Sequence, residues 1–181
     1  LEELRGGMDA RMDLPPEIIG ETVELIRRFG MNYHQKLEEQ FVFPAFEAAK
    51  KMGALVGVLR EQHAAGSQLV EAMKGLSTGV SAKDLEKRRT LGSAIHQFSR
   101  MYRAHSDREE TMLFPALRPM MATKAYNEMA VAFQKAETEI LGQNGFEQAI
   151  KKLEEHENRL GIGDLAAFTP SADDLTFGAE G

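Results

Sequence analysis

A twelve-residue segment occurs twice in this chain and constrains its fold more than any other feature. The copy that starts at His34 and the copy that starts at His105 lie 71 residues apart, are identical at six of twelve positions, and both end in Phe-Pro-Ala. Each copy places a glutamate four residues after its histidine, as Glu38 and Glu109. On an α-helix such a pair shares one face, about 40° apart around the axis and about 6 Å along it. Two such helices packed side by side would bring two imidazoles and two carboxylates together, which is how bundle cores hold metals.

The composition is that of a single domain without cysteine. At 181 residues the chain can bury a core unaided, and no apolar run is long enough to cross a bilayer. A net charge of −6, with no basic stripe, argues against a nucleic-acid partner. Without cysteine, any metal must take nitrogen and oxygen ligands. The sequence starts at Leu1 and shows no signal segment, so we expect a cytoplasmic rather than an exported protein, with the upstream segment unknown.

Apolar residues recur every three to five positions and predict an all-α fold. A long helix is expected from Pro16 to about Phe43, where Pro44 should kink or end it, followed by a shorter piece to Lys51. The other predicted segments are a helix tail at 1–7, a loop at 8–14, and helices at 54–75, from Ser81 (with Asp84 three residues later as part of the helix start) to Pro115, at 124–141 and at 146–160.

We predict an up-and-down four-helix bundle with additional C-terminal helices, formed by residues 1–160, and an extended or poorly ordered tail at 161–181. Three long helices need a fourth to close a bundle. The first bundle helix is missing or truncated in this reading, and residues upstream of Leu1 would then form an apolar helix bearing one histidine. The alternative is that the C-terminal helices pack in its place.

The histidine-glutamate pairs also have an interpretation without a metal, in which Phe-Pro-Ala is a repeated way of ending a helix and the glutamates are solvated. Against it, His105 falls on the helix side that carries Phe98, Met101, Tyr102 and Met112, which is the apolar and therefore inward side. A carboxylate there costs several kcal/mol unless a positive charge compensates it, and no Lys or Arg lies on that side nearby. A bound cation is the simplest compensation, and His63 supplies a third imidazole from another helix.

The same helix geometry predicts where other polar residues lie. His96 should face outward or into a neighbouring helix. His156 should lie on a solvated face, with recruitment to an open coordination position as the alternative. Tyr102 is expected to fill the core with its hydroxyl satisfied, although it could support a ligand or ligate iron itself. Glu39 and Glu110, one step off the ligand face, are expected to orient ligands or to meet solvent.

Taken together, the duplicated motif and the intervening histidine resemble the hemerythrin-like (HHE) cation-binding family. The resemblance covers about residues 16–120. It implies a metal site on three helices, with Glu38 and Glu109 bridging a pair of ions and the full ligand set His34, Glu38, His63, His105 and Glu109. Two departures stand out: no histidine precedes His34, and Ser67 occupies the position of the extra imidazole found in oxygen-carrying hemerythrins. One metal would therefore be poor in protein ligands. Either the missing helix was left out of this sequence, or the site is mononuclear, asymmetric or completed by water.

The resemblance implies a non-haem di-iron protein, with manganese or zinc less expected. Its small ligand would be O₂, nitric oxide or peroxide, and its role oxygen or nitric-oxide sensing, iron handling or repair of iron centres. Two alternatives stay open: a di-iron oxidase or peroxidase, and a helical interaction module whose metal site is vestigial. The sequence does not determine the oligomeric state.

Overall fold

The computed structural model describes residues 16–78 and 84–169, all helical or connecting. The predictions for residues 1–15 and for Ser81 lie outside this part of the chain, as does most of the proposed tail. Within the tail, Leu165–Phe168 form a short 3₁₀ helix. None of the helices in the described part is long and apolar enough to cross a membrane.

The first rod of the fold, residues 16–48, is a continuous helix that changes its hydrogen bonding. It consists of α1 (Pro16–Ile26), a π-helical segment Arg27–Gln35, a second π-helical segment Glu38–Val42 and α2 (Phe43–Ala48). The helix does not end at Pro44, because α2 continues past it to Ala48. The backbone N–H of Phe43 donates to the carbonyl of Glu38, five residues back, so the widened turn leads into α2 with Pro44 in its first turn.

The second rod is α3 (Gly53–Ser77), which follows left-handed turns at Lys50 and Met52 and runs antiparallel to the first. The third rod, residues 85–120, consists of α4 (Leu85–Arg108), a π-helical segment Glu109–Leu113 and α5 (Phe114–Met120). The side chain of Asp84 caps α4 by accepting from the backbone N–H of Lys87 at 3.0 Å. A Cβ atom at Gly66 would lie 3.3 Å from the Tyr102 ring, so a glycine there lets α3 and α4 approach closely.

The two copies of the motif have the same local structure. In the third rod, as in the first, a π-helical turn starts at the motif glutamate, and the N–H of Phe114 donates to the carbonyl of Glu109. A π turn holds one more residue than an α turn, so it shifts the inward face. Leu113 is therefore fully buried and Met112 is 41% exposed, so the prediction that Met112 faces inward is wrong.

The C-terminal helices lie along the first rod. They are α6 (Thr123–Leu141) and α7 (Gly145–Leu160), and successive contacts pair Phe133 with Phe41 and Glu137 with Tyr33. Further along, α7 reaches Glu21 through His156. As the residue numbers rise along the C-terminal helices, the numbers of their partners in the first rod fall, so these helices run antiparallel to the first rod. In the described part of the chain, the fourth rod is thus built from the C-terminal helices.

Two apolar clusters pack the bundle, one on each side of the polar residues of the motifs. The first joins α1, the first π-helical segment, α3 and α4, and the second joins α2, α3, α5 and the last two π-helical segments. Burial of each large apolar side chain contributes roughly 1.5–3 kcal/mol. The buried residues of the first cluster are Ile18, Ile19, Val23, Met31, Val70, Met73, Leu91, Ala94, Ile95 and Phe98. Those of the second are Val42, Phe43, Phe46, Val56, Leu59, Leu113 and Leu117. The histidines and the buried glutamates of the motifs lie between the two clusters.

Candidate metal centre

Four ionisable side chains from three rods meet between the two apolar clusters. Glu38, His63, His105 and Glu109 are all buried, and one candidate ligand atom from each lies within 4.8 Å of the others. The imidazole rings of His63 and His105 have centroids 5.0 Å apart. Four of the five residues predicted from sequence are therefore brought to one point by the packing of the rods.

His34, the fifth predicted residue, lies at the edge of this cluster. Its side chain is 43% exposed, and its Nε2 atom lies 3.1 Å from Glu38 Oε1 and 3.7 Å from Glu109 Oε2. It therefore closes the cluster on the side that solvent reaches.

The two carboxylates divide their oxygens between different imidazoles. Glu38 directs Oε1 to His34, as described, and Oε2 to His63 Nε2 at 3.3 Å. Glu109 directs Oε2 to His34 and Oε1 to His105 Nε2 at 2.9 Å. Each glutamate thus faces both the half-exposed imidazole and one of the buried imidazoles.

Several polar atoms at the centre are buried without a hydrogen bond. They are Glu38 Oε1, Glu38 Oε2, His63 Nε2, His105 Nε2 and Glu109 Oε1. A buried polar group left unpaired costs about 1–3 kcal/mol, and more when it is charged, so native proteins rarely tolerate such a group. Five of them converging on one point are the signature of a ligand set, since a cation would satisfy all of them at once.

The two buried imidazoles are held from outside the cluster. His63 Nδ1 lies 2.9 Å from Glu39 Oε1, and His105 Nδ1 lies 3.0 Å from Gln62 Oε1. Carboxylate and carbonyl oxygens only accept, so each Nδ1 donates. In the neutral imidazole this leaves Nε2 without a proton, so its lone pair faces the cluster and can bind a metal ion.

At the centre, the pKa of His34 is raised and that of Glu109 is lowered, so a protonated imidazole and an ionised carboxylate favour each other. Contacts with Glu109 and then Glu38 raise the pKa of His34 to about 10, against the opposing effect of burial. Burial raises the pKa of Glu109, but the nearby imidazoles of His105 and His34 outweigh it and bring that pKa down to about 2. Positive charge at this point therefore stabilises the two carboxylates, and the half-exposed imidazole of His34 supplies it when protonated.

Tyr102 lies beside the centre, and its hydroxyl is satisfied as predicted. Gln35, itself buried, donates from Nε2 to the tyrosine hydroxyl at 2.8 Å. The tyrosine ring stacks on Phe98 and approaches the ring of His105, with centroids 5.2 Å apart. Burial raises the pKa of the Tyr102 phenol, so it stays protonated.

The structure places the remaining candidates away from the centre. His96 is exposed, as predicted, and so is Glu110. The prediction for His156 is wrong: this residue is buried, with its Nε2 atom 2.7 Å from Glu21 Oε2 and its Nδ1 atom 3.4 Å from Thr22 Oγ1. Its acidic neighbours in sequence suggested a solvated face, but α7 turns it toward α1.

Sequence reasoning missed the role of Gln62. It precedes His63 in the chain, yet it contacts His105, 43 residues away. No local pattern distinguishes it from a surface glutamine, and only the packing of α3 against α4 reveals the contact. The role of Glu39 was half foreseen, since orienting a ligand was one of its two expected roles.

Comparison with known proteins now assigns the family. The model of the hemerythrin HHE cation-binding domain matches residues 1–117, which is more than half of the chain. The chain belongs to the hemerythrin HHE cation-binding domain family. This agrees with the resemblance seen in the sequence, with the all-α bundle, and with a buried His/Glu cluster suited to a metal ion.

Similar proteins occur in mycobacteria. The chain is 39% identical over 157 residues to uncharacterized protein Rv1995 of Mycobacterium tuberculosis strain H37Rv and to uncharacterized protein Mb2018 of Mycobacterium bovis. Each alignment covers 87% of this chain and 62% of the relative, so the chain spans less than two thirds of the length of these relatives. No solved structure matches.

Proposed function

We propose that this chain is a non-haem iron protein that holds a carboxylate-bridged pair of iron ions and binds a small ligand such as O₂ or nitric oxide. The protein ligands would be His34, Glu38, His63, His105 and Glu109. The observation that carries the proposal is the convergence of five buried nitrogen and oxygen atoms that have no hydrogen-bond partner.

The division of the carboxylate oxygens supports two ions rather than one. One oxygen from each glutamate lies on the side of His34, and another faces either His63 or His105. Glu38 and Glu109 would therefore bridge. The ion nearer the buried pair would have two imidazoles, whereas the ion nearer the surface would have only His34.

The donor set favours iron. It has no thiolate, because the chain has no cysteine, and it combines imidazole nitrogens with carboxylate oxygens. Imidazole suits iron as well as zinc, carboxylates suit harder ions, and sites of histidines and carboxylates with open positions are typical of non-haem iron. Manganese and zinc remain the alternatives that a metal analysis would detect.

The exposure of His34 supports the binding of a small ligand. The ion on that side would have three protein donor atoms, which leaves open coordination positions where solvent has access. When bound, iron supplies the redox-active centre that binds O₂ or nitric oxide. The protein supplies the ligands, and the two apolar clusters on either side shield the buried part of the centre from water.

Metal analysis of the protein is the direct test. We expect about two iron ions per chain after anaerobic reconstitution with ferrous iron, and an absorption change when nitric oxide or O₂ is added. Glu109→Ala should lose most of this iron. Less than about one iron per chain in the wild-type protein would contradict the proposal and leave a helical interaction module as the function.

A further inference from the structure

The two buried imidazoles are held by unlike groups. Glu39, on the first rod, accepts from His63 on α3, and Gln62, on α3, accepts from His105 on α4. The first partner is a carboxylate and the second a neutral amide. Each contact joins two different rods, so the packing of the bundle fixes both rings.

We propose that Glu39 and Gln62 are positioning residues. By accepting the Nδ1 protons of His63 and His105, they leave the Nε2 atoms of these rings unprotonated and directed at the metal. Of the two, only Glu39 also places a negative charge next to its histidine, on the side of the ring away from the metal. The inference rests on the proposed function. It makes the two buried imidazoles unequal: His63, backed by an anion, is the stronger electron donor, whereas His105 is oriented without added charge.

The surroundings of His63 support this role. Its ring is buried and stacks on Phe43, with centroids 5.2 Å apart, so its plane is fixed and Nδ1 can reach only what lies at that edge. Glu39 is 44% exposed and stands at that edge, in a cleft of about 290 Å³ that it lines together with Lys36, Arg60 and Ser67. The Glu39 carboxylate therefore contacts the ring from the solvent side and stays outside the metal cluster.

The duplication of the motif provides a matched control. Glu110 occupies the position in the second copy that Glu39 occupies in the first. It is exposed, and no hydrogen bond joins it to an imidazole in residues 16–78 and 84–169. The two glutamates share chemistry and motif position, and only one of them contacts a histidine.

Ferrous-iron affinity, measured by competition with a chelator, is the first readout. Loss of an outer partner of a metal-binding histidine typically costs 10–100-fold in affinity, and we expect this loss for Glu39→Ala and for Gln62→Ala. Glu110→Ala should bind iron as the wild-type protein does. Glu39→Gln keeps an accepting oxygen at the same reach, so it should recover most of the affinity that Glu39→Ala loses.

Two further readouts separate positioning from a general structural effect. The reduction potential should rise in Glu39→Gln, because an anion near the metal stabilises the more highly charged oxidised state, and it should not rise in Glu110→Gln. Nitrogen-15 NMR of the metal-free wild-type protein at a pH where the rings are neutral should show protons on Nδ1 of His63 and His105. Protons on Nε2 instead would overturn the inference.

The outcomes distinguish this inference from the proposed function. If the wild-type protein binds no metal, the proposed function fails. If it binds iron, and Glu39→Ala and Gln62→Ala bind as tightly as Glu110→Ala, only the positioning inference fails.

Discussion

Replacing Glu38 by glutamine should have opposite effects on the metal-free and metal-loaded protein. The side chain of Glu38 is 2% exposed, and both its oxygens lack a hydrogen bond, which is costly for the metal-free fold. Glutamine has nearly the same shape and no charge. Its amide N–H would stand where Oε2 lies 3.3 Å from His63 Nε2, and could donate to that nitrogen.

The size of the effect follows from the buried, unpaired atoms. Relief of one such polar group is worth about 1–3 kcal/mol. The effect is cleanest when both proteins also carry His34→Gln, which removes the ion pair that Glu38 forms with the protonated His34 imidazole at 3.1 Å. On that background, metal-free Glu38→Gln should be more stable by roughly 1–3 kcal/mol. For a chain of this size each kcal/mol raises the melting temperature by about 2–4 °C, which gives an increase of roughly 2–12 °C. In the wild-type protein, free metal at 100 times its dissociation constant should add about 2.7 kcal/mol. Without one bridging carboxylate, the variant should lose most of that increment.

Thermal unfolding with chelator and with anaerobic ferrous iron measures both effects. Glu110→Gln is the control and should change stability by less than about 0.5 kcal/mol in either condition. On the His34→Gln background, a metal-free Glu38→Gln protein that is less stable than its parent would show that the carboxylate stabilises the fold by itself. A metal-dependent rise equal to that of the wild type would show that it is not a ligand. Either result refutes the reasoning.

Other residues give three further tests. Leu113→Ala should lower the free energy of unfolding by about 2–5 kcal/mol and Met112→Ala by less than about 0.5 kcal/mol, as measured by chemical denaturation. The reason is that the π-helical turn buries the side chain of Leu113 and exposes that of Met112. Equal losses of stability would contradict this helix register. The hydrogen bond from His156 lowers the pKa of Glu21 from 4.5, against a smaller opposing effect of burial, so this contact stabilises the fold above about pH 4.5 and is lost as the pH falls through the lowered value. His156→Ala should therefore reduce the acid dependence of unfolding. In metal-free protein the raised pKa of His34 means that its ion pairs add to the free energy of unfolding; this contribution is complete below about pH 6.5 and is lost as the pH rises through about 10. His34→Gln should therefore flatten the loss of stability at alkaline pH. An unchanged pH profile of stability would contradict the ion pairing.

Metal removal gives a broader check on the same centre. Chelation should lower the melting temperature of the wild-type protein by roughly 5–11 °C relative to protein in excess ferrous iron, from the same 2.7 kcal/mol. A variant that lacks a predicted ligand, such as Glu109→Ala, should show little dependence on the chelator. Equal chelator sensitivity in both proteins would place the stabilising metal elsewhere.

The helical class and the site's residue types were readable in the sequence because both depend on local geometry. A spacing of four residues places His105 and Glu109 on one helix face whatever else the chain does. The spacing of apolar residues likewise predicts helices without knowledge of their partners. The local rule failed at Met112, since the widened turn before Pro115 changes the period by one residue.

Contacts between rods could not be derived in this way. Glu39 and His63 are 24 residues apart, Gln62 and His105 are 43 apart, and Glu21 and His156 are 135 apart. The sequence left two candidates for the fourth rod, and the structure places the C-terminal helices along the first rod.

The sequence by itself thus determined which atoms could serve as metal donors and that helices would carry them, because residue identity and backbone period are properties of each segment. Only the tertiary structure decided which donors meet, which imidazole remains half exposed, and which side chains fix the other two rings. Those features depend on how whole helices pack, and packing is settled by many side chains far apart in the chain.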